Sequence, residues 1–160
     1  MSSKSKPRVD GAAARPQQPL IGALLRLPRE YIVRRMFREL QQAGFDLSES
    51  ELAVFMFPGP DGRRPIELAR QCNMTRQAMN YVLAGLEGRD YIVRRAEEGA
   101  RSTSVQLTAR GRAVFAQMRS TVEAVEAQWR AELGTERFNA LRDTLRELSR
   151  WVESAEGHAG

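Results

Sequence analysis

Four side chains that can hydrogen-bond to nucleic acid fall on one face of a predicted helix near the middle of the chain: Arg76, Gln77, Asn80 and Tyr81. At about 100° per residue, they lie opposite an apolar arc made of Ala78, Met79, Val82, Leu83 and Leu86. Arginine pairs with guanine through two hydrogen bonds, and asparagine and glutamine pair with adenine in the same way. An ordinary surface helix carries Lys and Glu on its wet face, whereas this face has one charge. The pattern predicts a helix that contacts base edges in the DNA major groove.

A sharp turn has to place this helix against the helix before it. Pro65 fits the first position of the earlier helix, and Thr75 can cap the later helix with its hydroxyl. We also count Thr75 among the candidate DNA-binding residues. Between the two helices, Asn73 tolerates the positive φ that a tight turn requires. The spacing therefore predicts a helix-turn-helix.

A β-hairpin is expected after the helix-turn-helix, with strands at residues 91–95 and 103–108. Val105 and Leu107 alternate with polar neighbours, as in a half-buried strand. The loop at 96–102 is too long for a two-residue turn and carries Arg101. A protruding ribbon with an arginine at its tip can enter a minor groove, although a solvated hairpin with an incidental arginine would have the same pattern.

The sequence contains few residues suited to catalysis or to metal binding. His158 is the only histidine and lies in a Gly/Ala tail, so no histidine-based triad or multi-histidine metal site can be assembled. The loop PGPDGRRP at 58–65 lacks the spacing of a phosphate-binding loop. A single cysteine, Cys72, excludes an internal disulfide and occupies an apolar-periodic position, so we expect an unreactive thiol. We expect neither an enzyme nor a protein with a metal or other cofactor.

Charge and hydropathy point to a polyanionic partner. The net charge is +5 and the isoelectric point is about 10.1, with an excess of +4 in residues 58–112 and +3 in residues 1–18. The longest apolar run near the start, residues 20–25, is far shorter than the ~18 residues of a spanning helix. Nothing resembles a signal peptide. We expect a cytoplasmic protein without a membrane partner.

The flanking segments divide the chain into regions. Residues 1–18 are expected to be a disordered basic tail, and residues 154–160 a flexible one. A helix is expected within 19–46, interrupted at Pro28 by a kink or a restart. Ser48 and Glu51 have the spacing of a capping box for a helix ending near Phe57. Thr108 and Thr135 open two helices within 109–153, and the last of them carries a coiled-coil-like apolar stripe: Phe138, Leu141, Leu145, Leu148 and Val152.

One pentapeptide, YIVRR, occurs at residues 31–35 and again at 91–95. The first copy continues a helical apolar period, whereas the second follows a helix end and precedes a loop. Context therefore predicts helix for the first copy and strand for the second.

The run ELARQCNMTRQAMNYVLAGLEGRDYIVRR, followed by R-x5-LTARGR, closely resembles the winged helix-turn-helix core of MarR-type transcriptional regulators. IGALLRL is similar to the start of their first dimerisation helix, so the resemblance covers the chain from about residue 19 onward. It implies a mainly α fold with a small β-hairpin wing, a winged helix-turn-helix at 47–108, and N- and C-terminal dimerisation helices at 19–46 and 109–153. It also implies that the four residues of the first paragraph face the major groove and that Arg101 is the wing arginine.

This chain departs from the family pattern at three positions. Gly99 stands where the family commonly has an aspartate that steadies the wing, and Asp90 stands where it commonly has a glycine after the recognition helix. Pro28 lies inside the first helix. We expect a more mobile wing and a left-handed backbone at Asp90.

The resemblance further implies a homodimeric repressor that binds a pseudo-palindromic operator and is released by a small, often aromatic, effector. Tyr31, Arg34, Arg35 and Arg38 lie on or near the first helix where an effector pocket would open, and an arginine there could hold a carboxylate. The interpretation we favour is that they are surface and interface residues. The alternative function is a winged-helix module that assembles proteins without binding DNA.

Overall fold

The computed structural model describes residues 18–56, 58–96 and 103–157. Predictions for the basic tail at 1–17, for the wing loop with Gly99 and Arg101, and for His158 lie outside these residues. The described chain forms six helices and one antiparallel hairpin: α1 Ile21–Gln42, α2 Glu49–Phe55, α3 Pro65–Gln71, α4 Arg76–Gly88, β1 Ile92–Ala96, β2 Thr103–Leu107, α5 Ala109–Leu133 and α6 Thr135–Gly157. The predicted mainly α fold with a β-hairpin is confirmed, and the two copies of YIVRR lie in α1 and β1.

Three of the helices, α2, α4 and α5, begin at the N-cap residues that were predicted for them. The Ser48 hydroxyl accepts a hydrogen bond from the backbone N–H of Glu51, and the Glu51 carboxylate accepts one from the backbone N–H of Ser48. Thr75 and Thr108 cap α4 and α5 in the same way, with oxygen to nitrogen distances of 3.1 and 3.0 Å. Each cap satisfies a backbone donor that the first helical turn leaves open.

Of the kink or restart predicted at Pro28, the restart is wrong, because α1 continues through this residue. Proline removes one backbone donor, which leaves the carbonyl four residues earlier, that of Leu24, without its helical partner. Leu24 is exposed, so water can satisfy that carbonyl. Helix α6 extends to Gly157, and within its last turns the Ser154 hydroxyl donates to the carbonyl of Trp151 at 2.8 Å.

The core lies between the C-terminal half of α1, the helix-turn-helix, the hairpin and the first half of α5. Its largest fully buried side chains include Tyr91, Phe55, Met36 and Leu40. The Tyr91 ring contacts Phe45 and Phe55, with centroids 6.5 and 6.4 Å away. Tyr91, which lies between the end of α4 and the start of β1, is therefore the residue around which α2, β1 and the start of α5 pack.

Apolar side chains are also exposed along the N-terminal half of α1 and along α6. On α1 and its N-cap they are Leu20, Ile21, Leu24, Leu25 and Leu27, and on α6 they are Leu141, Leu148, Trp151 and Val152. Of the predicted α6 stripe, Phe138 is buried in this chain. An apolar surface of this extent on one side of a protein marks a contact with another molecule. No helix in the described ranges is long and apolar enough to cross a membrane.

Candidate nucleic-acid interface

The turn between α3 and α4 is fixed by backbone geometry. Pro65 occupies the first position of α3, and Asn73 has a φ of 51°, both as predicted. The backbone N–H of Met74 donates to the carbonyl of Ala69 at 2.8 Å and closes the turn. Because Thr75 then caps α4, the first turn of that helix projects from the protein surface. The Thr75 hydroxyl uses its oxygen in the cap and keeps its own hydrogen for another acceptor.

Helix α4 has one buried and one exposed face. Met79, Val82, Leu83 and Leu86 are buried, as predicted. The exposed side carries Arg76, Gln77, Asn80 and Tyr81, which we call the recognition face. Tyr81 is 83% exposed, although a tyrosine usually covers part of its ring. Ala78 was placed on the apolar arc but is exposed. It stands at the edge of that arc and in the first helical turn, beyond the reach of the core.

The C-terminal end of α4 is anchored to α2 by Arg89. Its guanidinium bonds to the Glu51 carboxylate and donates to the carbonyls of Asp46, at 2.7 Å, and Gly85, at 3.2 Å. Burial acts to raise the pKa of Glu51, but hydrogen bonds from Arg89 and Ser48 outweigh it and hold this pKa below its usual value. One carboxylate thus caps α2 and holds the end of α4. This contact could not be predicted from a local pattern, since its partners are 38 residues apart.

The hairpin is joined to α4 by a second ion pair. Glu87 accepts from the backbone N–H of Arg94 at 3.1 Å and from its guanidinium at 2.6 and 2.9 Å. The side-chain hydrogen bonds from Arg94, followed by the backbone bond, lower the pKa of Glu87. Asp90, with a φ of 58°, makes the turn between helix and strand in the left-handed region, as expected. The base of the wing is therefore fixed relative to the recognition face.

A third segment extends the small sheet. Residue Arg63 pairs with Val105 of β2, which pairs on its other side with Arg94 of β1. The Asp61 carboxylate accepts from the backbone N–H of Leu107 at 2.8 Å. The loop at 58–65, which lacks the spacing of a phosphate-binding loop, thus supports the wing. It also places the exposed Arg63 at the edge of the sheet.

The hairpin and α5 meet at Gly111. A Cβ atom at this position would lie 2.0 Å from the backbone oxygen of Tyr91 and 2.9 Å from the Leu107 side chain. Only glycine permits so close an approach of two backbones. The Arg110 guanidinium lies over the Tyr91 ring, 4.7 Å from its centroid. This junction sets the direction in which the hairpin leaves the core.

The predicted effector residues divide into two pairs. Tyr31 and Arg35 face α5, where the Tyr31 hydroxyl donates to Gln128 at 3.4 Å and the Arg35 guanidinium donates to Gln128 at 2.7 Å. Within α1, the Arg35 guanidinium also donates to Glu39 at 2.7 Å. The hydrogen bond from Arg35, followed by one from the Thr121 hydroxyl, lowers the pKa of Glu39. Arg34 and Arg38 are exposed on the surface of α1. These four residues do not line the cavity described next.

An open cavity of about 460 Å³ lies between α1, α2, α5 and α6. Its apolar walls include Ile32, Met36, Phe55, Met56, Phe115 and Met118. Four charged residues stand at its edge: Arg119, Glu123, Glu126 and Arg142. The volume is within the usual range for a small-molecule pocket. Among the described residues, no group of His, Cys, Asp and Glu has the arrangement of a metal site.

A helix-turn-helix with an exposed, hydrogen-bonding second helix and an adjoining β-hairpin defines a winged helix-turn-helix DNA-binding protein. No family model matches the chain. The HTH-type transcriptional repressor Rv2887 of Mycobacterium tuberculosis is 36% identical over 110 residues, which cover 68% of this chain and 78% of that protein. The crystal structure of Rv2887, a MarR family protein, in complex with salicylic acid matches with a TM-score of 0.60 and 30% identity, covering 82% of this chain and 97% of that one. Its complex with DNA matches with a TM-score of 0.59 and 28% identity, covering 82% and 98%.

With this likeness across almost the whole of Rv2887, the chain belongs to the MarR family of winged helix-turn-helix transcriptional regulators.

Proposed function

We propose that this protein is a repressor that binds a pseudo-palindromic operator as a homodimer. The observation that carries the proposal is the recognition face of α4, which is exposed while both ends of the helix are held by caps and ion pairs. Such a helix can enter a major groove without first becoming ordered. The likeness to Rv2887, whose structure is known in complex with DNA, supports this reading.

The DNA contacts are proposed residue by residue. Arg76, Gln77, Asn80 and Tyr81 contact base edges and the adjoining backbone, and Thr75 donates its hydroxyl hydrogen to a phosphate. Arg101, in the wing loop, is proposed to enter the minor groove.

The exposed apolar sides of α1 and α6 support a dimer. Two copies related by a two-fold axis would cover these surfaces with each other. A dimer of this class binds half-sites about 34–36 Å apart, one turn of the double helix. A dimer with two-fold symmetry is therefore expected to bind a near-palindromic operator.

Repression is proposed to end when an aromatic effector occupies the cavity between α1, α2, α5 and α6. The cavity borders both α2, which is anchored to the recognition helix through Glu51, and the helices that would form the dimer. Structures of Rv2887 with salicylic acid and p-aminosalicylic acid are among the similar structures. We propose a binding protein of the cytoplasm rather than an enzyme, since the similar proteins are regulators and the chain's pattern lacks a catalytic histidine.

Selection of DNA fragments from a random pool by the purified full-length protein tests this function. We expect the selected fragments to share one near-palindromic motif. The mass of the protein–DNA complex should correspond to two chains per duplex. Recovery of fragments without a common motif, or of no fragments at physiological salt, would contradict sequence-specific binding. The same outcome would favour the alternative of a protein-interaction module.

A further inference from the structure

The recognition face of α4 combines hydrogen-bonding side chains with an apolar surface. The Tyr81 side chain is 83% exposed, and Ala84 is exposed one helical turn later. Both residues line one recess together with Gly85, so the ring and the methyl group form one apolar patch. An aromatic ring left in water forgoes the free energy that its burial would release. The patch therefore indicates a contact with an apolar group of the partner.

Helical geometry places this patch beside Asn80. At about 100° per residue, Ala84 lies about 40° from Asn80 and about 60° from Tyr81 around the helix axis. Residues three and four positions apart are neighbours on a helix surface. The amide of Asn80 and the patch of Tyr81 and Ala84 can therefore contact the same base pair or two adjacent base pairs.

The next turn of α4 leaves space for DNA to approach. Glu87 is the acidic residue of this turn, and its carboxylate accepts from the Arg94 guanidinium at 2.6 and 2.9 Å. Gly88 has no side chain, and a Cβ atom there would meet nothing within 4 Å. Neither a long side chain nor an unpaired carboxylate in this turn therefore keeps Ala84 away from the floor of a groove.

The major groove offers one apolar group to such a patch, which is the 5-methyl group of thymine. The other groups that distinguish the base pairs there are hydrogen-bond donors and acceptors. An adenine that pairs with the Asn80 amide has a thymine opposite it in the same base pair. Because Tyr81 and Ala84 are neighbours of Asn80, we expect that thymine, or one in the adjacent base pair, to lie within their reach.

We infer that Tyr81 and Ala84 bind the 5-methyl group of one thymine in each half-site of the operator, next to the base edge that Asn80 contacts. The inference rests on the proposed function, because it specifies how the recognition face distinguishes one base from another. Uracil pairs with adenine as thymine does and differs from thymine only in lacking this methyl group. Tyr81 is therefore a specificity-determining residue, and its contribution is measurable as a preference for thymine over uracil.

A deoxyuridine scan of the operator selected from the random pool tests the inference. Each thymine is replaced by deoxyuridine at the same position in both half-sites, and the affinity of the full-length protein is measured by fluorescence anisotropy. At one position we expect the affinity to fall about 15-fold, because the loss of one buried methyl group weakens binding about fourfold in each half-site. Specific binding of an operator in which no position responds to uracil would overturn the inference and leave the proposed function standing. Absence of any specifically bound DNA would overturn both.

Variants of α4 connect the methyl group to the residues that bind it. Tyr81→Ala should reduce the preference for thymine over uracil to about twofold or less, whereas Tyr81→Phe keeps the ring and should retain the preference. Asn80→Ala is the matched control, because it should weaken binding to both operators equally and leave the preference intact. Ala84→Ser, which places a hydroxyl against the methyl group, offers an independent test if circular dichroism shows Tyr81→Ala to be unfolded. A full preference in the folded Tyr81→Ala variant, or its loss in Tyr81→Phe, would overturn the assignment to the ring.

Discussion

Helices α4 and α6 differ in whether their apolar side is buried within the same chain. Helix α4 buries Met79, Leu83 and Leu86 against its own chain and leaves a polar face outside. Helix α6 leaves Leu141, Leu148 and Trp151 exposed. The polar face of α4 is complete in one chain and is free to bind something hydrated and charged, whereas the apolar side of α6 is incomplete until another chain covers it. The difference separates the surface for DNA from the surface for the second protomer.

The largest effect is expected from Leu148→Glu, which places a charge within the exposed stripe of α6. A buried unpaired carboxylate should separate the protomers, and the loss of two-site binding should weaken operator affinity by about 100- to 1000-fold. Sedimentation equilibrium and operator titration measure the two effects. Asn139→Glu adds the same charge on the opposite side of α6 and should change neither. A dimer that survives Leu148→Glu would show that α6 is covered in another way.

The next largest effect is expected from Gly111→Ala, which acts on the support of α4 rather than on its surface. The new Cβ would collide with the backbone oxygen of Tyr91, so the hairpin and α5 must separate. We expect a loss of about 3 kcal/mol in the free energy of unfolding, which is the upper end of the usual range for substitutions that overpack a core. Gly88→Ala is the control, because a Cβ there meets no neighbour within 4 Å. Equal denaturation midpoints for the two variants would contradict the close approach.

Arg76→Ala and Asn80→Ala test the polar face without touching its support. Each should weaken specific binding by about 1–3 kcal/mol and relax base preference at one position in each half-site. Thermal unfolding and circular dichroism should match the wild type, since both side chains are exposed. If both variants bind the selected operator as tightly as the wild type, the recognition face has been assigned wrongly.

A smaller, pH-dependent effect is expected from Glu51, which connects α2 to the end of α4. Its pKa is lower in the folded protein than the ordinary 4.5, so protonation favours the unfolded chain. The stabilisation is present above about pH 4.5 and is lost as the pH falls through the folded value. Glu51→Gln should remove this part of the acid dependence of stability. Glu49→Gln, on an exposed position of the same helix, should retain it.

No effect is expected from Cys72→Ser. The thiol ends α3 beside the turn and is half-buried, and burial raises its pKa, which makes the reactive thiolate scarce. Gel-shift titrations with and without peroxide should give the same affinity for both proteins. Release of the wild type by peroxide while the serine variant stays bound would make this protein a redox sensor.

Local features were predictable and distant contacts were not. The caps at Ser48, Thr75 and Thr108 and the left-handed Asn73 depend on neighbours within a few residues, and all four were predicted. The pairing of Glu51 with Arg89 depends on how two helices pack, which no local pattern encodes. The lining of the cavity could not be predicted for the same reason. Its walls come from four helices, whereas the predicted effector residues all lie on α1.

The failures at Pro28 and Ala78 have a common cause. Both predictions applied a rule for helix interiors to positions near a helix end or on an exposed surface. Water can replace a missing backbone partner at Leu24, and the core does not extend to Ala78 in the first turn of α4. Burial, rather than residue type, decided both outcomes.

The anchoring of α4 at its far end gives the helix the mechanics of a lever. Its 13 residues span about 20 Å at ~1.5 Å per residue, with Arg89 as the pivot and Arg76 at the opposite end. A tilt of about 5° about that pivot would displace Arg76 by roughly 1.7 Å, more than the tolerance of a hydrogen bond to a base edge. Because Glu51, which holds the pivot, belongs to the same short helix as the cavity residue Phe55, we expect that a shift of α2 too small to alter the fold would still misalign the base contacts.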